Sequence, residues 1–196
     1  MTDPFRRKST LDEFWAIPEH ERFHELIAGE IIPKANPSGE HGDAQGGIIA
    51  AIRPPFQRSS GGGGGPGGWW ILPEVEILLD GPEIVRPDIS GWRRDRCPQR
   101  PTGTPVRQRP DWVCEVVSPS KPNHDTVKKL HLYHRSALPH YWLVDPQNAT
   151  LTVMRWTSDR YVTLLRAERG ATVRPEPFEQ IELAVGTLFG DDPPDR

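Results

Sequence analysis

The most constraining stretch of the chain is Trp112-Val113-Cys114-Glu115-Val116-Val117, an apolar run with one acid near its centre, closed by Ser118-Pro119. A short apolar run ended by breakers reads as a strand covered on both faces, the internal strand of an α/β sheet. Alternation puts Trp112, Cys114 and Val116 on one face and Val113, Glu115 and Val117 on the other. A carboxylate in such a strand loses its hydration, a cost of several kcal/mol unless a cation or strong donors compensate. Two arrangements meet that demand: a structural ion pair with an arginine, or a ligand for a hard metal cation.

Asp88 supports the second. It lies in Glu83-Ile84-Val85-Arg86-Pro87-Asp88-Ile89-Ser90-Gly91-Trp92, again mostly apolar and strand-like. Alone, a Pro-Asp pair reads as a turn cap. Beside Glu115 on a neighbouring strand, it supplies the second carboxylate of a magnesium or manganese site. Such ions prefer oxygen and keep several waters, so two protein carboxylates suffice. A helix is predicted from Asn123 or Asp125 to about Ala137, with Val127, Leu130, Tyr133 or His134, and Ala137 as its apolar stripe. Lys129 and Tyr133, four apart, share a face. A lysine beside a metal-bound water orients the nucleophile or stabilises charge on a phosphoryl oxygen; in isolation it would be a solvated helix lysine.

The order Pro-Asp, then Glu in an apolar strand, then Lys resembles the PD-(D/E)XK restriction-endonuclease-like superfamily, and more closely its Uma-two group of endonucleases. The matching pieces are FHELIAGEII, PSGEHG, RPDIS, CEVVSPS, DTVKKLHLY and HYWLVDP, in the group's order, over roughly residues 10 to 160. The resemblance implies an α/β fold, restriction-endonuclease-like, with a central mixed β-sheet flanked by helices. It implies Asp88 and Glu115 as metal ligands, a further acid near the metal at Glu25, and Lys129 as the catalytic lysine. It also implies Mg²⁺- or Mn²⁺-dependent hydrolysis of phosphodiester bonds, with DNA the expected nucleic acid. The superfamily's lysine usually follows the acid by two residues, where this chain has Val117. The Uma-two group takes it from the next helix, which matches Lys129, with Lys121 and Lys128 as competitors. His41 also matches a family position, although a lone histidine near a helix start reads as a cap or surface residue. A homodimer is expected from the way such nucleases cut both strands. The alternative is a nuclease-like module that binds DNA or protein without cleaving.

The rest of the chain reads as scaffold. Its 196 residues form one domain, with a core expected over about 10–167. Thr10-Leu11-Asp12-Glu13 matches a capping box, so a short helix starts there and stops before Pro18. Ala28-Gly29 turns between two short strands. His20-Glu21-Arg22-Phe23-His24 is an HExxH pattern of zinc proteases, which needs both histidines on one helix face. Pro18 before it and strand-like residues after it favour a polar lead-in to the hairpin. A helix from His41 to about Arg53 packs Ile48, Ile49, Ala50, Ala51 and Ile52 on the sheet. The glycine-rich run 59–68 reads as a flexible loop; without a following Gly-Lys-Ser/Thr it is no phosphate-binding loop.

Residues 69–80 read as a strand region split by Pro73, and Asp80-Gly81 turns it back into a partner strand that carries Asp88 to the sheet. Residues 93–109 hold six arginines against one acid, Asp95. Arg93, Arg94, Arg96 and Arg100 are candidate contacts for a nucleic-acid backbone, since arginine pairs bidentately with phosphate; the competing reading is a solvated loop. A strand over 140–145 and a hairpin around Thr157-Ser158-Asp159 extend the sheet. From Glu168 the chain reads as an acidic, Pro-rich tail (168–196), with Val185–Phe189 as a segment that docks. The formal net charge of −3 is not that of a dedicated nucleic-acid binder, so any such contact depends on a local basic patch. With two distant cysteines, Cys97 and Cys114, and neither a secretory signal nor a long apolar run, a cytoplasmic protein with free thiols is expected, without membrane contact.

Overall fold

The computed structural model describes residues 7–60, 65–119 and 124–193. Helix α1 (Leu11–Trp15) carries the predicted capping box: Thr10 Oγ1 accepts from Glu13 N, and Thr10 N donates to the Glu13 carboxylate. Glu19–Glu21 form one 3-10 turn and His24 opens strand β1 (His24–Ile27). The HExxH residues therefore never share a helix face, and His20 is exposed on its turn. This corrects the zinc-protease alternative: Pro18 and the strand leave no room for a helix. Ala28 and Gly29, with φ of 54° and 79°, turn the chain into β2 (Glu30–Pro33) as a two-residue hairpin.

Helix α2 (Gly39–Phe56) is capped by Ser38, whose Oγ accepts from His41 N at 3.3 Å. It buries Ala44, Ile48, Ile52 and Phe56, an i, i+4 stripe. It runs beyond the expected end at Arg53 through Pro54 and Pro55, whose carbonyls accept from the Arg58 side chain and from Gly67 N. Then come β3 (Trp69–Pro73), β4 (Ile77–Leu79), β5 (Glu83–Val85), β6 (Ile89–Arg93) and β7 (Trp112–Val116). A π-helical turn over His124–Lys128 leads into α3 (Lys129–Arg135). Strands β8 (His140–Asp145), β9 (Thr150–Trp156), β10 (Tyr161–Glu168), β11 (Thr172–Val173) and β12 (Leu183–Ala184) follow.

The main sheet has the order β10-β9-β8-β7-β6-β3, with β7 and β8 parallel and the other pairs antiparallel. A smaller sheet has the order β2-β1-β5-β4. The alternation read from β7 holds. Trp112, Cys114 and Val116 join the α2 stripe in one core cluster, while Val113 joins Leu132 and Tyr133 of α3 in the other. The mixed sheet is thus flanked by helices on both faces.

Two expectations need correction. Residues 83–92 do not form one strand: β5 belongs to the small sheet and β6 to the large one. The break falls at Arg86-Pro87-Asp88, because Pro87 has no N–H and Arg86 N donates to Glu25 Oε1 at 2.8 Å. Nor does the core end at residue 167. Phe178 is fully buried, its ring 4.7 Å from Phe56, 5.0 Å from Trp69 and 4.9 Å from Trp112 between centroids. Leu183, Val185 and Leu188 are buried in the same cluster. The 3-10 turn Val185–Phe189 docks on α2 as expected, at Gly47, where a Cβ would lie 2.8 Å from Thr187 O. Among the described residues, no helix is long and apolar enough to cross a membrane.

Candidate active site

The strand break that separates β5 from β6 puts Asp88 at the head of β6. The β6–β7 register, Ile89 opposite Cys114, then sets its carboxylate against the end of β7, where Val116 N donates to Asp88 Oδ2 at 2.7 Å. The other oxygen, Oδ1, lies 2.9 Å from Lys34 Nζ and 3.3 Å from His41 Nε2. Burial works against ionisation of Asp88. The hydrogen bond from His41 and the charges of Lys34 and Lys129 outweigh it and hold the carboxyl well below its ordinary pKa. Burial likewise opposes the charge on Lys34, but Asp88 and Glu74 outweigh it, and the ammonium pKa lies above its ordinary value.

Beside Asp88 lies a second group of charges. Lys129 Nζ sits 2.9 Å from Glu115 Oε2 and 3.0 Å from Glu25 Oε1. Tyr133, one turn further along α3, donates to Glu115 Oε1. Burial and the Glu115 and Glu25 charges push the Tyr133 hydroxyl well above its usual pKa, so it stays a donor. Glu25, Asp88 and Glu115 are each 1% exposed and Lys129 2%, and all four line one pocket with Lys34 and His41. The cation paired with Glu115 is therefore a lysine of α3, and not the arginine of the ion-pair alternative. Lys128 points away: its side chain is 49% exposed and pairs with Glu30 Oε2 at 2.7 Å. Lys121 lies outside the described residues.

The structure also draws in further residues. His41, which matches a family position although alone it reads as a cap or surface residue, is buried against Asp88 because the first turn of α2 faces the sheet end. Lys34 was not singled out. Its signal lay in the hairpin: once Ala28-Gly29 turns, Glu25 pairs with Ile32, and alternation puts Lys34 on the Glu25 side. Glu74, just past β3 with φ of 54°, meets Lys34 Nζ at 2.6 Å. Gln45, one turn after His41, donates through Nε2 to Glu74 Oε1 at 3.2 Å and to the Asp88 carbonyl at 2.8 Å. One ligand atom each from His41, Glu74 and Asp88 lie within 4.8 Å of one another. Carboxylate oxygens of buried Asp88 and exposed Glu74, with the His41 imidazole nitrogen, fit a divalent cation that accepts oxygen and nitrogen donors.

The basic loop is not part of this site. Arg93 ends β6 and Trp112 starts β7, so the loop leaves the sheet at the end opposite Asp88, roughly 17 Å along the strand. Three of the four candidate arginines also have partners within the fold. Arg93 pairs with Asp95 at 2.6 Å, and Arg96 pairs with Asp111 at 2.7 Å. Arg94 stacks on the Trp70 ring at 3.5 Å, and Arg100 is exposed.

A mixed sheet that brings two acids to adjacent strand ends, with a lysine supplied by the following helix, defines an α/β protein of restriction-endonuclease-like fold. The family model Uma2, described as "Putative restriction endonuclease", matches residues 11–186, and the chain belongs to that family. It is also similar to the crystal structure of a "putative nuclease belonging to DUF820" from Anabaena variabilis ATCC 29413. The identity is 28% and the TM-score 0.70, over 92% of this chain and 97% of that one. No curated protein matches the sequence.

Proposed function

We propose that this protein is a divalent-metal-dependent nuclease that hydrolyses phosphodiester bonds of nucleic acid, with DNA the first candidate. The observation that carries this reading is the convergence of Glu25, Asp88, Glu115 and Lys129, all but fully buried, in one pocket at the sheet end. Buried charges at this density stabilise a fold less than apolar packing would, and perturbed ionisable groups in a cleft mark functional sites. Asp88 and Glu115, with Glu25, would hold Mg²⁺ or Mn²⁺, and His41 adds a nitrogen donor beside Asp88. The ion, when bound, supplies an acidified water and polarises the phosphoryl group.

The chain's own residues do the rest. Tyr133 fixes Glu115 through Oε1, and Lys129 holds Glu25 and Glu115 at a set separation while offering positive charge to a phosphoryl oxygen. Three carboxylates against Lys34 and Lys129 leave the pocket with a net negative charge. A divalent ion reverses that sign, which suits a phosphodiester. Arg93, Arg94, Arg96 and Arg100 then serve only a nucleic acid long enough to span both ends of β6, as a second contact region. Cutting both strands with one site per chain calls for a homodimer.

The test is Mn²⁺-supported cleavage of plasmid, linear and single-stranded DNA and of RNA. Wild-type protein is expected to cleave, and Glu115→Ala and Lys129→Ala, with circular dichroism unchanged, to lose at least about 100-fold in rate. The second reading, a module that binds without cleaving, draws on the pairing of Asp88 with Lys34 and of Glu115 with Lys129. Folded wild-type protein that cleaves none of the four substrates would favour it over the nuclease.

A further inference from the structure

We propose that Lys34 is a displaceable stand-in for the metal: its ammonium fills the cation position between Asp88 and Glu74, and a divalent ion must move it to bind. This rests on the metal reading of the site. Lys34 Nζ meets three oxygens, Asp88 Oδ1 at 2.9 Å, Glu74 Oε2 at 2.6 Å and the Arg86 carbonyl at 2.9 Å. The contacts with Glu74 and the Arg86 carbonyl are hydrogen bonds, that with Asp88 is an ion pair, and the two carboxylates come from separate elements. Asp88 and Glu74 also belong, with His41, to the donor group whose ligand atoms lie within 4.8 Å of one another. An ion bound at about 2.1 Å from Asp88 Oδ1 would stand about 4–5 Å from an ammonium that stayed on the same oxygen, where the two positive charges repel. An ion that also takes Glu74 claims both carboxylates that hold Lys34.

The two lysines of the pocket are built differently. Lys129 is 2% exposed and held between Glu25 and Glu115 from a helix that packs on the sheet, so it has nowhere to go. Lys34 follows β2, with its backbone fixed by Lys34 N donating to the Phe23 carbonyl at 2.8 Å. Its side chain is 15% exposed, and its outer partner Glu74 is 42% exposed, so the ammonium has a path toward solvent. Its long flexible stem can move without a backbone change. Lys34 thus sets how tightly the site takes an ion, and keeps Asp88 compensated in its absence.

Calorimetric titration of Mn²⁺ into wild type, Lys34→Met, Lys34→Gln and Asp88→Asn tests this without any nucleic acid. Lys34→Met and Lys34→Gln are expected to bind Mn²⁺ at least tenfold more tightly than wild type, and Asp88→Asn to lose binding. Lys34→Gln keeps a polar group, so the comparison survives if Lys34→Met fails to fold without metal. Equal affinity in wild type and both Lys34 variants overturns the role of Lys34 and leaves the metal site standing. Absence of binding in wild type and in both Lys34 variants overturns the metal reading and this inference with it.

Discussion

Glu115 accepts from Lys129 at one oxygen and from Tyr133 at the other, and this division decides what each substitution does. Lys129→Met leaves Glu25 and Glu115 in a buried site without their shared cation. Breaking a buried pair in this way costs about 3–5 kcal/mol. We expect a loss near that range in urea denaturation without metal, and partial recovery in Mn²⁺, because a divalent ion restores the missing charge. An unchanged loss with Mn²⁺ would mean that the ion does not reach these carboxylates. Tyr133→Phe keeps the ring against Tyr141, 5.3 Å between centroids, and removes only the donor. It is expected to cost about 2 kcal/mol in the same assay. Glu115 was legible in the sequence because a charge inside an apolar strand stands out by contrast, whereas Asp88 alone reads as a turn cap and Lys129 alone as a solvated helix lysine, and only the ordered motifs of the family resemblance implied their roles. Lys34 and Glu74 were not legible: each follows a proline that ends a strand, and only pairing across the chain brings them to Asp88.

The elements were legible where one local rule governed them. The capping box at Thr10, the two-residue turn at Ala28-Gly29 and the alternation of β7 each follow from a few neighbouring residues. The break between β5 and β6 follows from a hydrogen bond to Glu25, 61 residues away, and periodicity carries no such information. The same limit hid the C-terminal segment. Phe178 stands between acids and prolines with no repeat around it, yet it fills the space between α2 and the sheet. Phe178→Ala is expected to cost about 3–5 kcal/mol, as for a buried aromatic whose cavity cannot collapse. Thermal denaturation checks this, and a change under about 1 kcal/mol would show that the segment is a loose cover.

At the scale of the whole molecule, the sheet has two chemically distinct ends. The carboxylates gather where β7 finishes, while the arginine loop and His140 gather where β7 and β8 begin, with Trp112 paired to His140. Around His140 stand Asp111, Arg93 and Arg155, and Glu176 Oε1 lies 3.3 Å from Nδ1. Burial pulls the imidazole pKa down from 6.5 to about 4; Arg155 and Arg93 push the same way, against Asp111. The folded protein therefore keeps this ring neutral over a range in which the unfolded chain takes up a proton. The unfolded state binds the extra proton, so stability falls as pH drops from about 6.5 to about 4 and levels off below that. The slope is about 1.4 kcal/mol per pH unit at most, and the total about 3 kcal/mol. Urea denaturation between pH 7 and 4 should show this loss in wild type and a flatter profile in His140→Gln. Asp88 adds little slope there, because its carboxyl titrates well below this window. Identical slopes in the two proteins would show that Glu176 pairs with the protonated ring and cancels the effect of burial.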